Sequence, residues 1–152
     1  CGTQKMGTKQ MENIAVLDDI VSVNHADLDR QHKMCADALE QLRTKADAAS
    51  LRDVLSAYEH HFNFEENLLD KHLYKGTTKS KGFSATQNAR KSNYKDHSRL
   101  INEIRGMLGR MNDEENVALV PKSFVDKVLR NFENHANVYD DAYKDALTVA
   151  LE

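Results

Sequence analysis

Apolar residues recur along this chain three and four positions apart, the spacing that gathers side chains onto one face of an α-helix. Four stretches carry the pattern. The first begins near Asp27 or Asp29, whose carboxylates suit the exposed N–H groups of a first helical turn, and sets Cys35, Ala36, Leu39, Leu42 and Ala46 on one stripe. The second, over about 49–74, aligns Val54, Tyr58 and Leu68. The third, over about 90–111, aligns Leu100, Ile101, Ile104, Met107, Leu108 and Met111, with Gly106 and Gly109 weakening its end. The fourth starts at Pro121, well suited to a first helical position because its missing N–H costs nothing there, and runs through Phe124, Val128, Phe132, Val138 and Ala142 toward Leu151. Residues 76–89 form a polar interruption between the second and third stretches, and residues 1–25 show only the short apolar run Ile14–Leu17. No strand-type alternation and no internal repeat accompany these stripes. The pattern predicts an all-α fold, an antiparallel up-down four-helix bundle with an irregular N-terminal arm: residues 1–15 an arm or linker remnant, residues 16–152 the bundle.

Composition narrows the function classes. A chain of 152 residues is one domain's worth, and six Gly with one Pro leave few turn-formers, which favours helices. A net charge of −3 is too slight to argue for a nucleic-acid or membrane partner, and no nucleic acid is expected. Between Lys75 and Arg99 seven Lys and Arg face one Asp, which reads as a solvated loop and helix start. No apolar run approaches the ~20 residues that span a bilayer, so no membrane insertion is expected. Cys1 and Cys35 lie far apart with no CxxC partner, which predicts a reduced, cytoplasmic setting. Cys1 in place of Met implies a chain processed, trimmed or cut from something longer.

Polar residues interrupt the apolar stripes, and these change the picture most. His32 sits on the first, His61 and Glu65 on the second, Asn93 and His97 on the third, His135 and Asp140 on the fourth. His61 and Glu65 are one helical turn apart and point the same way. A carboxylate inside an apolar stripe is costly unless it is paired or bound to a metal. Because helix direction alternates in an up-down bundle, His32 early in its helix, His61 late in the next, His97 early and His135 late fall at one level. Imidazole and carboxylate donors without thiolate suit iron, manganese or zinc. Taken singly, any of these histidines reads as a hydrogen-bonded core residue. The four histidines together with Glu65 and Asp140, six polar groups in one core, would require a polar network no simpler than a metal. His25 and His60 are expected to be exposed, and His72 to lie near its helix end, ~10 Å along the axis from Glu65.

Three segments carry a family resemblance: Leu28-Asp-Arg-Gln-His32-Lys, His61-Phe-Asn-Phe-Glu65-Glu66, and His135-Ala-Asn-Val-Tyr-Asp140-Asp-Ala-Tyr143. In order and spacing they resemble the signature stretches of the hemerythrin family, especially its bacterial members. The arm Leu17-Asp-Asp-Ile-Val-Ser-Val resembles the segment before the family's first helix, with Leu17 where Trp is frequent; the likeness extends over about 16–147. The resemblance implies two Fe ions with an oxo or hydroxo bridge and O2 as ligand. His32 and His61 would bind one iron, on the side that takes O2; Glu65 and Asp140 would bridge; His97 and His135 would bind the other. Leu39, Phe62, Leu100, Ile101 and Ile104 would supply an apolar lining. Dioxygen is the implied partner, and the family often occurs fused to, or interacting with, a signalling domain.

One position departs from the family pattern. The third helix normally carries His-x-x-x-His, and here the first of the pair is Asn93. No His, Asp, Glu or Cys lies between Gly76 and Ser92 to replace it. Asn93 as a weak cofactor-binding residue through its carbonyl oxygen, a water in its place, and loss of the second metal are three outcomes, each of which weakens metal retention. The leading expectation is a non-enzymatic protein that binds dioxygen reversibly for carriage, storage or sensing. The alternatives are a diiron oxidase or peroxide-reducing enzyme with an opened second iron site, and an iron-storage or regulatory module.

Overall fold

The computed structural model of the protein describes residues 22–23, 25–73, 84–113 and 119–151. Four long helical stretches follow one another: α1 (Ala26–Lys45), α2 (Ala48–His72), α3 (Ser84–Asp113), and a last stretch made of α4 (Lys122–His135), a π-helical turn (Ala136–Asp140) and α5 (Asp141–Leu151). Each helix packs on the next, and α4 closes the bundle against both α3 and α1. Among the described residues the only β contact is an isolated bridge between Asp47 and Leu119. None of the described helices is long and apolar enough to cross a membrane. The expected N-terminal arm lies outside the described residues.

Local chemistry sets the helix ends. His25, rather than Asp27 or Asp29, caps α1: its Nδ1 accepts from the Leu28 N–H at 3.3 Å, which leaves the ring half-buried instead of exposed. Asp29 instead anchors the incoming chain, accepting from the Val23 N–H at 2.9 Å and the Ser22 hydroxyl at 2.7 Å. The link from α1 to α2 is two residues long. Ala46 takes a left-handed backbone (φ 48°), which costs a residue with a Cβ on the order of 1–2 kcal/mol. The bonds it makes there compensate: its N–H donates to Leu42 O at 2.7 Å and its carbonyl accepts from the Val120 N–H at 2.6 Å. Asp47 then caps α2 by accepting from the Ser50 N–H at 2.8 Å. Pro121 is the N-cap of α4 rather than its first residue.

α3 differs from expectation at its start. It begins at Ser84, so the second half of the polar interruption is helical. Its first turns carry no apolar stripe because an ion pair holds them: the Arg90 guanidinium donates to both oxygens of Asp70 on α2, at 2.8 and 3.2 Å. The Tyr94 hydroxyl, one turn on, donates to Asp70 Oδ1 and approaches the Glu66 carbonyl at 3.0 Å. Gly106 and Gly109 do not stop the helix, which continues to Asp113.

The core is divided in two. A large cluster built on Leu39, Leu42, Val54, Tyr58, Phe62, Ile104, Val128 and Phe132 fills one end of the bundle, and a smaller one of Val23, Leu28, Leu69, Tyr143 and Leu147 fills the other. On α2 the smaller cluster uses Leu69 as its buried residue, with Leu68 half-buried beside it. Between the clusters lies a buried polar layer.

Candidate metal centre

Each of α1 to α4 sends a side chain into that layer: His32 from α1, His61 and Glu65 from α2, Asn93 and His97 from α3, His135 from α4. All are buried, Glu65 completely. They meet in two groups that share one residue. One donor atom each from His32, His61 and Glu65 lie within 4.8 Å of one another, and so do donor atoms of Glu65, His97 and His135. Glu65 therefore stands at the middle, with Oε2 3.2 Å from His61 Nε2 and Oε1 3.3 Å from His97 Nε2. The paired imidazoles stand edge to face on one side (His32 and His61, centroids 4.6 Å apart) and tilted on the other (His97 and His135, also 4.6 Å).

The buried atoms facing this centre identify what would complete it. His97 Nε2, His135 Nε2, Glu65 Oε2 and Asn93 Oδ1 have no hydrogen bond among the described residues, although two of them lie at ion-pair distance from a neighbour. Buried lone pairs left this way are costly, and a cation shared among them removes the cost. Electrostatics agree. Burial alone would raise the Glu65 carboxyl, but the His61 and His97 imidazoles outweigh it and hold Glu65 well below the usual carboxylate range. Burial alone would lower His97, but Glu65 and Glu66 outweigh it and raise the imidazole to about 9. Both shifts favour positive charge beside Glu65, which a metal ion would supply.

Three further residues, not singled out by the sequence reading, orient the imidazoles. Gln31 Oε1 lies 3.0 Å from His61 Nδ1, Glu66 Oε2 3.1 Å from His97 Nδ1, and Asp96 Oδ2 2.7 Å from His135 Nδ1. A carbonyl or carboxylate oxygen only accepts, so each Nδ1 carries the proton and each Nε2 is turned to the centre. The support runs round the bundle: α1 holds the imidazole of α2, α2 that of α3, and α3 that of α4. Each supporter is the chain neighbour of an inward-facing residue (Gln31 beside His32, Glu66 beside Glu65, Asp96 beside His97). The step of about 100° between consecutive helical residues aims it at the adjoining helix. That adjacency was the available signal.

Asn93 is in the layer too, with Nδ2 donating to Glu65 Oε1 at 3.5 Å. Asp140 closes the π-helical turn that follows His135; its side chain lies outside the described residues. Five residues along an ordinary α-helix would place Asp140 about 140° from His135, whereas a π-helical turn that absorbs one extra residue brings the backbone of Asp140 to within about 40° of it. Of the apolar residues expected around the site, Leu39, Phe62, Leu100 and Ile104 are buried and Ile101 is half-buried. Phe62 lies flat on His97, with ring centroids 4.0 Å apart, and meets His135 edge-on at 5.3 Å. His60 is exposed and His72 half-buried at the end of α2, away from both groups.

The only buried cysteine among the described residues, Cys35, bonds outside the centre, its Sγ donating to Ala57 O at 3.7 Å. The donor set is therefore nitrogen and oxygen, which fits iron, manganese or zinc. A family profile described as Hemerythrin HHE cation binding domain matches residues 23–147. No curated protein and no solved structure matches the chain.

Proposed function

We propose that this chain, which belongs to the hemerythrin family of HHE cation-binding domains, is a non-haem diiron protein that binds dioxygen reversibly. The observation that carries the reading is the single carboxylate, Glu65, shared by two buried histidine groups. His32 and His61 would hold one iron, His97 and His135 the other, with Glu65 and Asp140 common to both. When bound, the two ferrous ions supply the electrons and the coordination position that dioxygen needs.

The chain's own contribution is to bind, orient and exclude water. Gln31, Glu66 and Asp96 fix the ring orientation of His61, His97 and His135, so these three imidazoles need not rearrange when metal enters. Leu39, Phe62, Leu100 and Ile104 keep the centre dry, which preserves a bound gas against displacement by water. Metal content and absorption spectra test the reading. Two irons per chain are expected, with a stable coloured species after reduction and exposure to air. Fewer than two irons would remove the diiron assignment, and direct passage to the ferric protein with release of peroxide would make it an oxidase.

Asn93 favours that second, enzymatic reading at one point. Its amide stands where the family's pattern has an imidazole, so the second iron has one strong donor fewer and one more exchangeable position. Asn93→His is expected to slow oxidation of the air-exposed reduced protein and to slow metal loss to a chelator by about 10-fold or more. Stopped-flow absorbance and chelator competition measure the two effects. Unchanged rates in both would leave Asn93 with no part in the chemistry.

A further inference from the structure

The three supporting hydrogen bonds are alike in geometry and unlike in charge. His61 is backed by Gln31, a neutral amide. His97 and His135 are backed by carboxylates, Glu66 and Asp96. A carboxylate that accepts an imidazole N–H draws the proton toward itself and raises electron density at the opposite nitrogen, which becomes a stronger donor to a cation. An amide oxygen does so far less. The contrast is not erased by solvent, because the Asp96 side chain is 15% and the Glu66 side chain 34% exposed. Arg99 shares Asp96, but it binds Oδ1 at 2.8 Å and leaves Oδ2 to His135, so it fixes the carboxylate rather than displacing it.

The two sides also differ in their surroundings. A cavity of about 490 Å³ between α1 and α2 is lined by Gln31, Met34, Asp53, His60 and His61, and so lies behind the Gln31–His61 pair. Asn93 stands within the layer on α3, the helix of His97 and Asp96. The group short of one imidazole is thus the group with two carboxylates behind it.

We infer that Glu66 and Asp96 are positioning residues that compensate for the imidazole missing at Asn93, so that the His97 and His135 position binds its metal ion more tightly than the His32 and His61 position. The inference rests on the two-metal reading above and adds an order of occupancy to it. The position backed by Gln31 fills last and empties first.

Titration of the metal-free full chain with Co2+ against a competing chelator, followed by visible absorption, tests it. Wild-type protein should take up two ions in two resolved steps, and His32→Ala should abolish the weaker. Glu66→Gln and Asp96→Asn should each weaken the tighter step by about 10- to 100-fold and leave the weaker one in place. Gln31→Glu should tighten the weaker step, a gain that misfolding does not imitate. Proton NMR supplies a readout independent of affinity. The downfield Nδ1–H resonances of His97 and His135 should move upfield in Glu66→Gln and Asp96→Asn respectively, with the helical circular dichroism unchanged. Two ions bound with equal affinity, loss of the tighter step in His32→Ala, or no gain in Gln31→Glu would each overturn the inference while leaving the two-metal reading intact. Uptake of fewer than two ions by the wild-type protein would overturn both.

Discussion

Glu65→Gln is expected to reduce the metal content from two ions to none, whereas His32→Ala should remove only one. The difference follows from where the carboxylate stands. Each histidine serves one group, and Glu65 has an oxygen on each side, 3.2 Å from His61 and 3.3 Å from His97. The amide of glutamine fits the same space but brings no charge, and half of it is a donor that would point N–H bonds at a cation. In a completely buried site the lost charge is not replaced by water. Affinity at both positions should fall by roughly two orders of magnitude or more, beyond the ~10–100-fold that outer supporting residues command. Metal analysis after gel filtration reads the stoichiometry. One ion retained by Glu65→Gln would show that the two groups do not share this residue.

Phe62→Ala should produce the largest loss of stability of any single change near the site. The ring is 1% exposed, lies flat on His97 and edge-on to His135, and touches Tyr58 at 5.2 Å between centroids. It joins the large apolar cluster to the polar layer. Truncating it opens a cavity that neither side can fill, because Tyr58 is held against Phe132, 5.4 Å away in a stacked pair. A cost of about 3–5 kcal/mol is expected from such deletions. Urea unfolding of the metal-free protein measures it, and Phe62→Leu should recover part of the loss. A cost below ~1 kcal/mol would mean that His97 is held by Glu66 and Glu65 alone.

How much of this was legible in the sequence depends on what kind of force holds each part. The helices were legible where apolar packing holds them, since Leu39, Leu42, Val54, Tyr58, Ile104 and Phe132 write the stripe directly. The first turns of α3 were not, because an ion pair from Arg90 to Asp70 anchors them and a charged pair twenty residues apart leaves no periodic trace. The level of His32, His61, Glu65, His97 and His135 could be worked out from alternating helix direction. The supporting ring could not be read that way, since it needs the lateral order of helices as well as their register. Val138, placed on the inner stripe by simple periodicity, is 60% exposed. The periodicity fails there because the backbone changes its hydrogen-bonding step at Ala136–Asp140, and composition carries no mark of that change.

That π-helical turn also governs everything after it. Counted as plain α-helix from His135, Tyr143 would lie about 80° and Leu147 about 120° from the inward direction. Absorbing one extra residue subtracts about 100° and returns both to within about 20° of it, and sends Val149 to the far side. The burial follows this corrected phase: Tyr143 and Leu147 are buried, and Val149 is 69% exposed. The turn is thus a phase shifter. One supernumerary residue sets the rotation of α5, which closes the smaller apolar cluster over the far side of the polar layer. In that stretch the chain is constrained in length more tightly than in composition, and a sequence that kept every side chain but lost one residue would turn the closing face outward.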